Sequence, residues 1–237
     1  MKKRLGILII SALAFLNVSA QKTATDYYQF GTAHFNYGEY EEAIADFTKS
    51  LEMNPFLAEA LNDRGLCYYM KAEFDSAIVD FTEAISITEK YSKAYNNRGL
   101  VYFKTKQYDK GIADFTKAIE INPNDASYFF NRGNSYNGAE KYVEAASDYT
   151  KAIALAPKMY KYYNNRGAVY QKLGRYSEAI ADYTKTMDIS PDFYQACYNR
   201  GNSKFLSGDK VGACEDWNRS LKAGVGMAKE KIDAHCK

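Results

Sequence analysis

The chain has little of what metal binding and catalysis draw on. Its 237 residues include two histidines, four cysteines and one tryptophan. Zinc needs several ligands converging from separate segments. His34 and His235 stand at opposite ends, and no CxxC or HxxxH spacing occurs, so no metal ligand is assigned. No Ser/His/Asp constellation, phosphate-binding glycine loop or paired-carboxylate motif stands out either. The reading is therefore no catalytic residue, no cofactor and no enzyme. Proline is scarce, at four residues, and no Pro/Gly/Ser-rich or low-complexity linker divides the chain. That absence points to one continuous array rather than separate domains.

Long apolar runs are also missing, except at the start. Lys2, Lys3 and Arg4 precede an apolar stretch from Leu5 to Val18, followed by Val18-Ser19-Ala20. A basic start, a short apolar core and small residues at a cleavage point describe a secretory signal peptide. Residues 1–20 are read as that signal, with a mature start at Gln21. An uncleaved anchor is the alternative, but the run falls short of the roughly 20 residues of a spanning helix. No cysteine follows the core, which argues against a lipoprotein. Export to the periplasm or cell envelope is expected. Without the three basic residues of the signal, 28 basic residues face 29 acidic ones. The overall basic balance thus reports the signal, not a nucleic-acid surface.

What the chain does have is a repeat. Gly31, Gly65, Gly99, Gly133, Gly167 and Gly201 follow one another at intervals of 34 residues. Pro55, Pro123, Pro157 and Pro191 each lie 24 residues after one of those glycines. A fixed period of this length marks a solenoid, in which each unit buries its apolar face against its neighbours. Numbering units from Ala24, Ala58, Ser92, Ala126, Tyr160 and Tyr194 gives repeats over 24–57, 58–91, 92–125, 126–159, 160–193 and 194–227, with residues 228–237 left as a terminal capping helix. Position 8 is glycine, position 20 is small (Ala43, Ala77, Gly111, Ala145, Ala179, Ala213) and position 24 is aromatic (Phe47, Phe81, Phe115, Tyr149, Tyr183, Trp217). Apolar residues recur at spacings of three and four, so each unit is two amphipathic helices, the fold class is all-α, and the glycine lets the helix axes approach. Gly38, Gly174 and Gly208 mark the turn between the helices. Proline at position 32 is expected to end the second helix, with Glu89 and Val225 standing there in units two and six.

Runs such as YNNRGLVYFKTKQYDKGIADFTKAIEINP resemble the tetratricopeptide repeat family over residues 24–227. The resemblance implies a right-handed superhelix whose first helices line a concave groove that binds peptides or protein segments. The ending GACEDW with MAKEKIDAHCK is similar to that of exported bacterial members.

On that reading the groove is lined by positions 2, 6, 9 and 13. Asn97, Asn131, Asn165 and Asn199 at position 6, with Asn134 and Asn202 nearby, form a ladder of amides suited to a peptide backbone. Lys93, Lys104, Lys161 and Lys172 bias the later units toward an acidic segment, whereas unit two carries Glu59 and Asp63. Tyr69, Phe103, Phe130, Tyr198 and Phe205 offer apolar anchors. The family's clamp for a terminal carboxylate is not reproduced.

Two further features belong to the repeat. Asp46, Asp80, Asp114, Asp148, Asp182 and Asp216 share position 23, and Arg64, Arg98, Arg132, Arg166 and Arg200 share position 7 of units two to six. Unit one has Phe30 there, so pairing each aspartate with the next unit's arginine (Asp46–Arg64, Asp80–Arg98, Asp114–Arg132, Asp148–Arg166, Asp182–Arg200) leaves only Asp216 over. His34 takes position 11, where tyrosine prevails, and is read as a packed residue. Four cysteines allow three full pairings. Cys214 on the last second helix and Cys236 on the cap are the candidate disulfide, Cys67 and Cys197 are read as free, and four reduced thiols are the alternative.

The expected function is a non-enzymatic scaffold binding an extended protein segment, without nucleic acid and without a membrane span once the signal is removed. A structural subunit of an envelope assembly, using the convex surface and array ends, is the alternative.

Overall fold

The structure is a computed structural model that describes residues 22–236. The segment read as a signal peptide and its cleavage site lie outside the described residues. Among the described residues there are thirteen helices and no strand. They run α1 (Ala24–Tyr37), α2 (Tyr40–Met53), α3 (Ala58–Met70), α4 (Phe74–Ile87), α5 (Ser92–Lys104), α6 (Tyr108–Ile121), α7 (Ala126–Gly138), α8 (Tyr142–Leu155), α9 (Tyr160–Lys172), α10 (Tyr176–Ile189), α11 (Tyr194–Leu206), α12 (Lys210–Lys222) and α13 (Ala228–His235). Each helix packs on its neighbours in the chain, and most first helices also touch the first helix of the adjacent unit. This is a tetratricopeptide-type solenoid.

Within each unit the pair is locked by the glycine at position 8. A Cβ added there would lie 2.7 Å from the Phe47 ring at Gly31, 2.8 Å from Phe115 at Gly99 and 2.8 Å from Tyr149 at Gly133. No side chain fits in that space, so the aromatic of the second helix packs directly on the first helix's backbone. Phe47, Phe81 and Phe115 are fully buried, as is Tyr149, and Tyr183 and Trp217 are nearly so.

The turn between the two helices places its fifteenth residue in the left-handed region in all six units, at Gly38, Ala72, Lys106, Glu140, Gly174 and Gly208. Three of these are not glycine, so the turn is set by helix packing rather than by glycine. Proline proves equally dispensable: α4 stops at Ile87, although Glu89 replaces proline. Its end is closed by Thr88 N–H to Ala84 C=O at 2.9 Å and Tyr91 N–H to Thr88 C=O at 3.1 Å, the pattern that proline-containing units show.

The arginine–aspartate pairs are intra-unit, which corrects the expectation of pairing across unit boundaries. Arg64 binds Asp80, not Asp46, through Nε and Nη2 at 2.8 Å each. Arg98–Asp114, Arg132–Asp148, Arg166–Asp182 and Arg200–Asp216 repeat the fork. The reason lies in the glycine lock. Positions 8 and 24 face each other sixteen residues apart, so positions 7 and 23, one step earlier on each helix, face each other as well. The arginine still crosses the boundary, but with its third nitrogen and to a hydroxyl: Arg64 Nη1 donates to Thr48 Oγ1 at 3.1 Å, Arg98 to Thr82 at 2.9 Å and Arg132 to Thr116 at 3.0 Å. Arg166–Thr150 and Arg200–Thr184 complete the series. Arg132 is flanked by the Phe129 and Tyr136 rings, each 5.8 Å from the guanidinium carbon.

Unit one, without an arginine, gives Asp46 to His34, whose Nδ1 lies 2.9 Å from the carboxylate. His34 is therefore not a buried packing residue; it is half-exposed and supplies the missing partner. Asp216, expected to be left over, is held by Arg200 and also by Lys204 at 3.0 Å. Burial opposes its charge, but the bonds from Arg200 and Lys204 outweigh burial and keep its carboxyl below the ordinary range. At Asp182 burial prevails over Arg166 and lifts the carboxyl above that range.

The array closes on α13, which packs on α12. Ala228 is fully buried, and Ile232 and Cys236 join Trp217, Leu221 and Phe205 in the last apolar cluster. Cys214 and Cys236 are bonded, with Cα atoms 5.7 Å apart, while Cys67 and Cys197 are free and buried. Burial pushes the Cys67 thiol up to about 12. The His235 ring stacks 4.4 Å from that of Phe205.

Two predictions arise. Arg132→Leu strands the buried Asp148 carboxylate and should cost about 3–5 kcal/mol in urea unfolding, most of it restored by adding Asp148→Leu. Arg132 and Asp114 should couple by less than about 0.5 kcal/mol in the same double-mutant cycle, whereas boundary pairing demands the reverse. Ala72→Gly relieves a left-handed backbone that disfavours a Cβ by about 1–2 kcal/mol, partly offset by glycine's unfolded-state entropy. Its unfolding midpoint should rise, and that of Gly38→Ala should fall.

Candidate functional site

The first helices share one surface, and the side chains on it are wired to each other. Asn97 Nδ2 donates to Asn62 Oδ1 at 2.9 Å, and Asn131 Nδ2 donates to Asn96 Oδ1 at 2.9 Å. Each bond runs from position 6 of one unit to position 5 of the unit before. Phe130 occupies position 5 in unit four, and there Asn165 Nδ2 turns to Asn134 Oδ1 at 3.0 Å. Asn134 Oδ1 also accepts from the Tyr149 hydroxyl at 2.8 Å. Asn202 Oδ1 accepts from Trp217 Nε1 at 3.1 Å, and Asn199 Oδ1 from Gln195 at 3.2 Å.

The asparagine ladder is thus partly spent on the protein itself. Asn97 and Asn165 also accept at Oδ1, from Asn96 at 3.3 Å and from Asn164 at 3.2 Å. Each amide nitrogen carries two hydrogens, so one donor per rung is left. These residues are half-buried. They stitch first helices together as well as facing the groove, a role the sequence reading did not assign. The signal was present at position 5 of units two and three, where Asn62 and Asn96 accept. Asn164 at position 5 of unit five instead donates to Asn165, and its own Oδ1 is buried without a partner among the described residues.

The aromatic anchors are likewise engaged. Tyr69 packs on Phe74 at 6.0 Å and Phe103 on Tyr108 at 6.0 Å between ring centres. Phe130 lies 4.7 Å from Tyr162. Tyr198 and Phe205 belong to the last apolar cluster.

The lysines differ. Lys93, Lys104, Lys161 and Lys172 are all exposed. None of them is among the lysines that form ion pairs in the described residues, which are Lys71, Lys117, Lys141, Lys204 and Lys229. At the other end of the surface, Asp63 accepts from the Tyr28 hydroxyl and from Asn62 Nδ2, both at 2.9 Å. Burial raises the Asp63 carboxyl above its ordinary value, against those two bonds. Burial and the neighbouring Asp63 push the Tyr28 hydroxyl up to about 12. Glu59 beside them is exposed. The surface is therefore polarised, acidic at unit two and basic from unit three on.

Known proteins share this architecture. Two family models match, both described as Tetratricopeptide repeat, one over residues 92–125 and 160–193 and the other over residues 28–89. No curated protein sequence matches the chain. Among solved structures, YrrB, described as a TPR protein with an unusual peptide-binding site, superposes with a TM-score of 0.70 at 19% identity, over 79% of this chain and 97% of that one. MamA of Desulfovibrio magneticus RS-1 gives 0.68 at 21% identity, over 73% and 98%. The Pseudomonas aeruginosa protein pilF gives 0.76 at 17% identity, over 89% and 96%. At these identities the likeness is one of fold. With the helix pairs, the glycine lock and the matched repeats together, the chain belongs to the tetratricopeptide repeat family, whose solenoids are scaffolds for protein–protein interaction.

Proposed function

We propose that this chain is a non-enzymatic scaffold that holds an extended, acidic segment of a partner protein along the surface of its first helices. One observation carries the reading: four exposed lysines, free of ion pairs, share that surface from unit three onward with half-open asparagine amides. Unpaired ammonium groups attract carboxylates, and each remaining amide N–H suits a peptide carbonyl. Glu59 and Asp63 repel an acidic segment from unit two, which fixes its placement along the array. A bound metal or cofactor has no part in this reading.

The scaffold is proposed to work outside the cytosol, in the periplasm or cell envelope, after cleavage before Gln21. The disulfide between Cys214 and Cys236 supports this, because such bonds persist in oxidising compartments. Mass spectrometry of the native protein should find Gln21 at the N-terminus; an intact start at Met1 would overturn export by this route.

Asparagine substitution is a poor test of the groove, since removing Asn131 and Asn165 also deletes two cross-unit hydrogen bonds worth about 0.5–1.5 kcal/mol each. Charge reversal is cleaner. Lys161→Glu with Lys172→Glu should leave unfolding within about 0.5 kcal/mol of wild type, as exposed substitutions do. Partner affinity, measured on a protein captured from an envelope extract, should fall at least about tenfold, with the wild-type affinity declining as salt is added. Equal affinity of variant and wild type would move the site to the surface of the second helices.

A further inference from the structure

The C-terminal end of the first-helix surface carries a cavity that the repeat pattern alone does not produce. It measures about 290 Å³ and is lined by Gln171, Tyr198, Asn202, Phe205, Leu206, Trp217 and Lys231. Lys231 comes from α13, so the capping helix contributes a cation to the surface as well as covering the last unit.

The polar atoms around the cavity are unequal. Trp217 Nε1 can only donate, so Asn202 Oδ1 is its acceptor at 3.1 Å, and the Asn202 amide nitrogen has no hydrogen bond among the described residues. Gln171 Oε1 is met by Ser203 Oγ at 3.3 Å, which leaves its amide nitrogen open. Lys229 on the same helix is paired with Asp233 at 3.2 Å, whereas Lys231 forms no ion pair among the described residues. Both amide oxygens are already engaged while both amide nitrogens have no bond among the described residues, and one positive charge stands beside them. Between them stand the Tyr198, Phe205 and Trp217 rings, the last two 5.5 Å apart. Unused amide donors beside a cation favour an anion, and aromatic walls favour an apolar neighbour to it.

We infer that this cavity is a subsite for an acidic side chain, aspartate or glutamate, flanked by an aromatic or large apolar residue within the extended segment. The inference rests on the proposed groove and names the motif that its last unit reads. Lys231 pairs with the carboxylate, the Gln171 and Asn202 amides donate to it, and the flanking side chain lies against the rings. A side-chain carboxylate is favoured over a chain terminus because the lysines of the preceding units already call for a segment with several acids.

Trp217 is the only tryptophan of the chain and its Nε1 is bonded to Asn202 at the cavity, so its fluorescence responds to occupancy there. The probe is the blocked tetrapeptide acetyl-Gly-Phe-Asp-Gly-amide, compared with its Phe-Asn counterpart and with acetyl-Gly-Phe bearing a free carboxylate. The Phe-Asp peptide should change the emission saturably, and both the Phe-Asn peptide and the Lys231→Gln variant should weaken binding about tenfold, the loss expected for one charge-assisted hydrogen bond. Lys231→Gln should keep the wild-type unfolding midpoint and the Cys214–Cys236 bond. Equal binding of the Asp and Asn peptides, retention of affinity in Lys231→Gln, or a response only to the free terminal carboxylate would each overturn the inference. Lys161 and Lys172 do not line the cavity. Loss of the extended partner in their charge-reversed variant with tetrapeptide binding intact separates the two readings.

Discussion

Everything in this array depends on a missing methyl group. The glycine at position 8 lets an aromatic ring of the second helix rest on the backbone of the first, closer than any Cβ would allow. That contact fixes how the two helices slide against each other. Once position 8 faces position 24, position 7 must face position 23, and the arginine fork closes on the aspartate of its own unit. Threonine at position 25, one residue past the ring, then stands where the next unit's arginine arrives. The same guanidinium thus satisfies a carboxylate inside the unit and a hydroxyl outside it. An ion pair alone is weak evidence for stability once desolvation is counted. Here it specifies alignment, between helices and between units.

The ends of the array show the logic by departing from it. Unit one carries Phe30 at position 7 in place of arginine. Asp46 would be left without a partner, and His34 supplies one from position 11. At the other end position 25 is Asn218, whose side chain donates back to Cys214 C=O at 2.8 Å. Lys204, again at position 11, adds a second cation to Asp216. Inner units keep tyrosine at position 11, where Tyr136 and Tyr170 flank the guanidinium.

The repeat, the two-helix unit, the small positions and the aromatic filler were legible in the sequence because each is a periodic pattern imposed by packing. The arginine's partner was misread because Phe30 suggested an offset of one unit, while the sixteen-residue offset of glycine and ring, already visible, gave the answer. The asparagine row was legible as a row, but not as a set of bonds. Its acceptors at Asn62 and Asn96 lie on neighbouring helices, and only the spacing of adjacent units brings them within 2.9 Å. The exposed lysines were recognisable by position. Lys231 was not, since α13 lies outside the repeat and its orientation follows from packing on α12.

The division of labour on the first-helix surface has a consequence for how it binds. Amides bonded to one another across units are held in place, so a segment laid over them meets groups that lose little freedom on binding. The lysines have no such support. They are long, exposed and without an ion pair among the described residues, and they contribute attraction at a distance more than a fixed geometry. On the proposed reading, recognition combines a polar floor of cross-bonded amides with a rim of exposed lysines. The α13 end differs, because a helix of eight residues does not hold itself together in water. Buried Ala228, the contact of Ile232 and the bond from Cys214 to Cys236 hold it in place. The helix that carries Lys231 is thereby tied covalently to the last repeat.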